Sequence, residues 1–176
     1  MHLNQDKLEE LKKIEVILMD MDGCLTNGNI IYTSAGDEIK IFHTHDGYGI
    51  TRARSLGIKF AIISGRGSPV NKMRVDRLGI EHLYEHVEDK CVPFEELKKL
   101  YNLPNEAFAF IGDDEFDIPL LQQVGFSSCP QSAIEIVKDH VDLVCNKNGG
   151  EGCVREIIDI ILRAKGLIPP IVKLPS

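Results

Sequence analysis

Short apolar runs alternate along the chain with segments in which apolar residues recur at helical spacing. The runs at residues 16–19, 60–63 and 107–111 are continuous, which is typical of strands buried on both faces of a parallel sheet. Shorter runs at residues 83–84, 125–129 and 141–145 predict additional strands. This alternation predicts an α/β fold with a doubly wound, mainly parallel sheet flanked by helices. The predicted helices cover residues 4–13, 46–56, 69–78, 91–101, 118–124, 132–139 and 154–165.

A projecting β-hairpin is predicted at about residues 28–43, where two β-rich segments flank a turn-forming sequence at residues 34–37. A two-stranded ribbon is only marginally stable alone. This ribbon is rich in apolar residues, so we expect it either to fold onto its own domain or to lie in a subunit interface. These apolar residues are Ile30, Ile31, Tyr32, Ile39, Ile41 and Phe42.

The length and composition predict a single domain, residues 1–176, that can bury a core of its own. Apolar residues make up 43% of the chain and charged residues 27%, as in ordinary soluble globular proteins. At about residues 167–176 the chain is apolar but rich in proline, so we expect an extended tail there rather than a helix.

Charge and cysteine usage exclude several classes of partner. The net charge of −7 argues against a nucleic-acid-binding surface, so any phosphate site must be locally positive. The five cysteines are scattered and never in CxxC spacing, which disfavours both a disulfide framework and a zinc site. The first residues contain no apolar signal segment, and no apolar run approaches membrane-spanning length. We therefore expect a cytoplasmic protein without a membrane partner.

Polar residues follow three of the predicted strands. Asp20 and Asp22 follow the first strand, Ser64 the second, and the acidic sequence GDDEFD at residues 112–117 the third. The carboxyl ends of parallel strands meet at one edge of a sheet, where such folds bind ligands. Two carboxylates this close repel each other unless a cation lies between them, and Mg²⁺ prefers oxygen ligands. The sequence therefore predicts a magnesium site at this edge.

The set of motifs resembles the haloacid dehalogenase superfamily of phosphatases. These enzymes carry DxDGxxT, found here at residues 20–26, then a Ser or Thr after the second strand, a Lys, and GDDxxD. Ser64, Lys90 and residues 112–117 supply the other three elements in the same order. Each residue alone has an ordinary structural explanation as a turn, cap or surface residue. The complete ordered set favours catalysis.

The resemblance implies a role for each motif residue. Asp20 is the candidate nucleophile, which forms an aspartyl phosphate, and Asp22 is the candidate general acid and base. The metal site would comprise Asp20, Asp113 and the main-chain carbonyl near Asp22. Ser64 would donate to a phosphate oxygen, and Lys90 would offset the charge of the transferred phosphoryl group. In the same scheme Lys90 or metal-bound waters are oriented by Asp114 and Asp117.

Further motifs are similar to the 3-deoxy-D-manno-octulosonate 8-phosphate (KDO 8-phosphate) phosphatases, small cap-less members of the superfamily that act in lipopolysaccharide precursor synthesis. The resemblance covers about residues 12–166. It implies a homotetramer in which the hairpin helps to build the interface and neighbouring subunits close each active site. It also implies substrate contacts from Gly65, Arg66 and Arg74, although exposed helix arginines would have the same pattern. The motifs are DGYGI at 46, ISGR at 63, RVDRLGI at 74, GDDEFDIP at 112 and GGEGCVRE at 149.

Some positions depart from the pattern of this family. His45 stands where an Arg is usual, and Met21 and Cys24 replace the usual aliphatic residues. A metal-binding role for His43 and His45 is a weak interpretation of this pattern, and their role stays open. These changes leave the phosphatase motifs intact but leave the sugar acid open. A nine-carbon keto-acid 9-phosphate is the alternative substrate, and Arg66 favours the eight-carbon one, because a Glu there would have indicated the nine-carbon type.

Two other classes of protein remain as alternatives. A phospho-accepting receiver domain also uses an acid pair, a Ser or Thr and a Lys, but it lacks DxDGxxT and a late GDDxxD. A catalytically silent relative could serve as an oligomerisation module, as occurs in fusions to sialic acid activating enzymes. Intact Asp20, Asp22, Lys90 and Asp113 argue against that.

Overall fold

The structure, a computed structural model, describes residues 5–168. Its parallel sheet has six strands in the order β5-β4-β1-β6-β7-β8, and β2 and β3 form a separate antiparallel hairpin. The doubly wound α/β fold expected from the sequence is confirmed. The strands are β1 Val16–Met19, β2 Ile31–Tyr32, β3 Glu38–Ile39, β4 Lys59–Ile63, β5 His82–Tyr84, β6 Phe108–Ile111, β7 Phe126–Cys129 and β8 Leu143–Val144.

Helices cover both faces of this sheet and enclose two apolar layers. On one face the core is built from residues of α1, α2, α3 and α7, and on the other from residues of α4, α5 and α6. Each of the strands β1 and β6 is buried along its whole length, which explains why their sequences are continuous apolar runs. The helices are α1 Gln5–Lys13, α2 Thr44–Ser55, α3 Pro69–Leu78, α4 Cys91–Tyr101, α5 Ile118–Leu121, α6 Glu135–Lys138 and α7 Cys153–Ala164.

The central position of β1 determines where the site residues meet. β1 pairs in parallel with β4 on one side and β6 on the other, with Met19 opposite Ile62 and Ile111. The three strands therefore end at nearly the same level, and the loops that follow them start side by side. Short signals in the sequence place the next helix: Ser68 caps α3 by accepting from the Val70 N–H, and α3 stops at Gly79 in the left-handed conformation.

Several elements are shorter than the sequence predicts. The hairpin ladder contains only two residue pairs, Ile31 with Ile39 and Tyr32 with Glu38. Ile30 and Ile41 lie outside the ladder with exposed side chains. Helices α5 and α6 span four residues each. Of the predicted tail, residues 169–176 lie outside the described residues. Within residues 5–168, no helix combines the length and apolar character needed to span a membrane.

Candidate active site

The loop after β1 is a single wide turn, residues 21–25, closed by the Thr26 N–H, which donates to the carbonyl of Met21. The Asp20 N–H donates to the carbonyl of Ile111, and the Asp20 carboxylate accepts from the Met21 N–H at 2.7 Å. Gly23 has φ +88°, and a Cβ atom there would lie 1.9 Å from Oδ2 of Asp113. Glycine is therefore required at this position by both conformation and space. The turn brings the loops after β1 and β6 into direct contact.

A buried lysine joins the acids of this edge. Lys90 precedes α4, and its side chain is 1% exposed. Its Nζ lies 3.1 Å from Oδ1 of Asp20 and 2.6 Å from Oδ1 of Asp117, both of which are also buried. The ring centroid of Phe116 lies 4.5 Å from the same Nζ. This ammonium is therefore held between two carboxylates and an aromatic face, away from water.

The acids at this edge are close enough to share a cation. Oxygens of Asp20, Asp113 and Asp117 lie within 4.8 Å of one another. Asp117 is fixed because its Oδ2 accepts from the N–H groups of Asp113 and Asp114 at 2.9 and 3.2 Å. Burial, then the charges of Asp20 and Asp117, raise the pKa of Asp113 to about 8. Burial also raises the pKa of Asp20 to about 6, against the opposing effect of Lys90. A divalent cation fits this group of carboxylates, because it prefers oxygen ligands and would offset the repulsion between their negative charges.

Most of the predicted site residues line one cavity of about 560 Å³ at the carboxyl edge of the sheet. Ser64 is 1% exposed at the end of β4, where its N–H donates to the carbonyl of Tyr84 and its Oγ accepts from the Arg66 N–H. Lys90 and Asp117 do not line this cavity: Lys90 contacts Asp20 from behind the cavity wall, and Asp117 contacts Lys90. The predicted residues that line the cavity are Asp20, Asp22, Ser64, Gly65, Arg66, Asp113 and Asp114.

The two predicted substrate arginines lie in different places. Arg66 lines the cavity, and its Nη2 lies 3.2 Å from the Tyr32 hydroxyl and 3.3 Å from Oε1 of Glu38. Arg74 lies on α3 in a separate groove, with its guanidinium 4.8 Å from the ring centroid of Phe42. Within one subunit, therefore, the fold brings Arg66 but not Arg74 to the acid cluster.

His45, which departs from the family pattern, and the nearby His43 lie outside the acid cluster. His43 caps α2 by accepting from the His45 N–H, and the two imidazole rings meet edge to face at 4.8 Å. The neighbouring Asp46 is fully buried and accepts from the Arg155 N–H at 2.7 Å, so it ties α2 to the start of α7. This segment therefore has a structural role in joining two helices.

Two charged hairpin residues near the cavity were missed by the sequence reasoning. Lys40, whose side chain is 3% exposed, places Nζ 2.7 and 2.8 Å from the two carboxylate oxygens of Asp22. Glu38 accepts from the Ser68 hydroxyl and forms an ion pair with Arg66. The available signal was their spacing of two, because alternate residues of a strand point to the same side. The hairpin thus contributes charged side chains to the site.

The fold, with acids following β1 and β6 and a buried lysine between them, defines a haloacid dehalogenase-like hydrolase. A family model of that description matches residues 79–157. The 3-deoxy-D-manno-octulosonate 8-phosphate phosphatase of Escherichia coli K12 is 35% identical over 164 residues, which cover 93% of this chain and 87% of that protein. The chain belongs to the family of KDO 8-phosphate phosphatases.

Solved structures agree with this assignment and confirm the resemblance noted in the sequence. The KDO 8-phosphate phosphatase of Moraxella catarrhalis, solved in complex with a magnesium ion, a phosphate ion and KDO, superposes with a TM-score of 0.90 at 35% identity over 94% of each chain. The cobalt-bound phosphatase of Haemophilus influenzae superposes with a TM-score of 0.86 at 37% identity, covering 89% of this chain and 92% of that one.

Proposed function

We propose that the protein is a magnesium-dependent phosphomonoester hydrolase that converts KDO 8-phosphate to KDO and inorganic phosphate. The observation that carries this proposal is the buried constellation of Asp20, Asp113, Asp117 and Lys90 at the carboxyl edge of the sheet. Its chemistry suits phosphoryl transfer, and the Moraxella catarrhalis relative was solved with magnesium, phosphate and KDO.

The metal would be held by carboxylates of Asp20 and Asp113 and by the main-chain carbonyl of Asp22. Bound there, Mg²⁺ would supply positive charge for the phosphoryl group and for the acids themselves. Burial, followed by the charges of Asp20 and Asp117, raises the pKa of Asp113 to about 8, and a divalent cation at this position would favour the ionised carboxylate. Asp117 is the acid nearest to Lys90, which suits an orienting role rather than a metal ligand.

The residues of the chain divide the reaction into two steps. An oxygen of Asp20 attacks phosphorus and forms an aspartyl phosphate, while the P–O bond to the sugar breaks and the sugar oxygen takes a proton from Asp22. Asp22 then takes a proton from water, which attacks phosphorus and releases phosphate from Asp20. Ser64 would donate to a phosphate oxygen, and Lys90 would balance charge on the transferred group. Asp114, at the cavity rim, would orient metal-bound water.

Specificity for the eight-carbon sugar acid is supported by Arg66. This residue lines the cavity and presents a guanidinium suited to a carboxylate or phosphate. In the structure its partner is the Glu38 carboxylate, an anion that a substrate carboxylate could replace. Arg74 could contribute only from a different surface, so a contact with substrate would have to be made across a subunit boundary.

Assembly into a homotetramer through the hairpin is part of the proposal. Ile30, Tyr32 and Ile41 are 57%, 62% and 62% exposed, which is a large apolar surface for a two-stranded ribbon. We expect sedimentation velocity to show a tetramer, and Ile41→Glu to dissociate it, whereas Ile136→Glu on α6 should not. A monomeric wild-type protein would contradict this part of the proposal. We also assign the protein to the cytoplasm, where its substrate class would be made.

Phosphate release from a panel of phosphate esters with Mg²⁺ tests the function. We expect KDO 8-phosphate to be hydrolysed with the highest kcat/KM, ahead of a nine-carbon keto-acid 9-phosphate and of p-nitrophenyl phosphate. Asp20→Asn should abolish turnover while the circular dichroism spectrum stays native, and the exposed control Asp76→Asn should remain active. Better turnover of the nine-carbon ester would overturn the substrate, and an active Asp20→Asn variant would overturn the nucleophile.

A further inference from the structure

Lys40 is a buried cation of the hairpin segment, and within residues 5–168 its ammonium forms hydrogen bonds and an ion pair only with Asp22, the candidate acid-base residue. Its Nζ lies 2.7 Å from Oδ1 and 2.8 Å from Oδ2 of Asp22, and its side chain is 3% exposed. We propose that Lys40 is a positioning residue, which holds the Asp22 carboxylate where it exchanges a proton with the leaving oxygen. This inference rests on the proposed function, in which Asp22 is the general acid and base.

The position of Lys40 is fixed within the same subunit. Glu38 lies two residues earlier in the hairpin, accepts from the Ser68 hydroxyl, and pairs with Arg66 at 3.3 Å. The side chain of Glu38 is 13% exposed. The hairpin is thus attached to the loop after β4 by Glu38 and to the loop after β1 by Lys40. Because Glu38 anchors the hairpin independently of Asp22, Lys40 is held in place and can orient the Asp22 carboxylate.

Few other groups restrain the Asp22 carboxylate. The Thr26 hydroxyl donates to Oδ1 at the long distance of 3.3 Å, and within residues 5–168 no further hydrogen bond or ion pair is made by this side chain. The Asp22 backbone lies in the wide turn with φ −86° and ψ 124°, outside the helical region. Without Lys40, therefore, the long hydrogen bond from Thr26 would be the one restraint left on the carboxylate within the described residues.

Loss of this orientation has a distinct kinetic consequence. Proton transfer needs the acid within about 2.6–3.2 Å of the leaving oxygen, and general acid catalysis contributes about 10²–10⁴-fold. A sugar alkoxide is a poor leaving group that depends on this proton. The p-nitrophenolate ion leaves without one, because its conjugate acid is far stronger than an alcohol. Since kcat/KM reports the steps through formation of the aspartyl phosphate, loss of Lys40 should affect the sugar ester selectively.

A direct contact between Lys40 and the substrate phosphate is the competing role. In that case loss of the ammonium would weaken binding of both esters and raise KM. Loss of the Lys40 ammonium would raise KM in the same way in a variant in which Asp22 has already been replaced. A positioning residue instead lowers kcat/KM only while its target carboxylate is present, so the two roles separate in a double-mutant cycle.

The experiment compares wild type, Lys40→Met, Asp22→Asn and the double variant at saturating Mg²⁺, with Lys72→Met as the control for an exposed lysine paired with Asp76. We expect Lys40→Met to lower kcat/KM for KDO 8-phosphate by about tenfold to a hundredfold, as for a displaced catalytic group. For p-nitrophenyl phosphate the change should be less than about threefold, within the context dependence of single contacts. In the Asp22→Asn background, Lys40→Met should cause no further loss.

Three results would overturn the inference: equal losses for both esters, a loss that persists in the Asp22→Asn background, or no loss for the sugar ester. Lys40→Gln, which keeps an N–H donor but no charge, should lie between wild type and Lys40→Met, so the test survives if the Met variant folds poorly. If Asp22→Asn itself leaves the sugar ester activity unchanged, the proposed role of Asp22 fails and the inference fails with it. A severe Asp22→Asn defect beside a fully active Lys40→Met variant would refute Lys40 alone.

Discussion

Replacement of Lys90 by methionine removes the charge that stabilises the buried acids while keeping a similar apolar volume. Lys90, Asp20 and Asp117 have side chains that are 1%, 4% and 0% exposed, so the pair interactions are little screened by water. At the observed distances of 3.1 and 2.6 Å, each attraction amounts to about 5–6 kcal/mol at an effective dielectric constant of about 20, before desolvation is subtracted. Removing one partner of a buried pair costs about 3–5 kcal/mol net.

The sign of the pH dependence follows from the acids. The pKa of Asp20 is raised to about 6 and that of Asp113 to about 8, so both stabilise the folded protein at low pH and lose that contribution as pH rises through these values. The pKa of Lys90 is raised by Asp20 and Asp117 in opposition to its burial, so this lysine stays charged across the same range. Loss of Lys90 raises the carboxyl pKa values further. The destabilisation by Lys90→Met should therefore grow with pH.

Urea unfolding followed by far-UV circular dichroism in EDTA measures this effect, because the chain contains no tryptophan. We expect Lys90→Met to lose about 3–5 kcal/mol near pH 8, equivalent to about 6–20 °C in Tm, and clearly less near pH 5.5. The control Lys72→Met removes an exposed pair and should lose less than about 1 kcal/mol at either pH. A loss below about 1 kcal/mol near pH 8, or a larger loss near pH 5.5, would refute the reasoning.

Two other predictions concern the same edge of the sheet. In EDTA the Tm of the wild-type protein should fall as pH rises from about 5 to about 9, because Asp20 and Asp113 ionise in this range. Addition of MgCl₂ should raise the Tm again, and most strongly at the higher pH. A Tm that does not change with pH in the absence of metal would contradict this prediction. Gly149→Ala would place a Cβ atom 1.6 Å from the carbonyl oxygen of Gly23, so the loop that contains Asp20 and Asp22 must move. We expect kcat to fall at least about tenfold and the free energy of unfolding to fall by about 1–3 kcal/mol. Gly57→Ala is the control, because a Cβ atom at Gly57 would meet no other atom within 4 Å. This variant should lose stability, since Gly57 has φ +92°, but should keep the wild-type kcat. Equal losses of kcat in the two variants would exclude a local effect of Gly149.

The parts of the fold that follow from local sequence could be predicted. β1 and β6 are apolar throughout, β4 is apolar after Lys59, and a polar side chain follows each strand within two residues. Both the burial of these strands and the meeting of Asp20, Ser64 and Asp113 at one edge could therefore be predicted. Helix α4 covers the predicted residues because Asp89 and Asn102 flank a clear apolar stripe, with Asn102 in the left-handed conformation.

Long-range contacts could not be predicted in this way. Lys40 and Asp22 are 18 positions apart in the sequence, and they pair only because the hairpin folds back towards the loop after β1. No local sequence signal specifies the direction in which the hairpin folds. The side of α3 on which Arg74 lies depends likewise on its packing against Phe42. The close contact between Gly149 and Gly23 joins segments that are far apart in the sequence, so the hydrophobic periodicity of the chain does not predict it.

The charges around the cavity also explain why a cation is needed in an acidic protein. The composition indicated that a phosphate site in this chain had to be locally positive. Within the described part of the chain, however, each cation at the site is already paired with an acid: Lys40 with Asp22, Arg66 with Glu38, and Lys90 with Asp20 and Asp117. Asp113 and Asp114 add further acid to the cavity wall. A bound metal ion would therefore supply the additional positive charge that attracts a phosphate ester, while the paired side chains hold each group in place and Lys90 would offset charge on the transferred phosphoryl group.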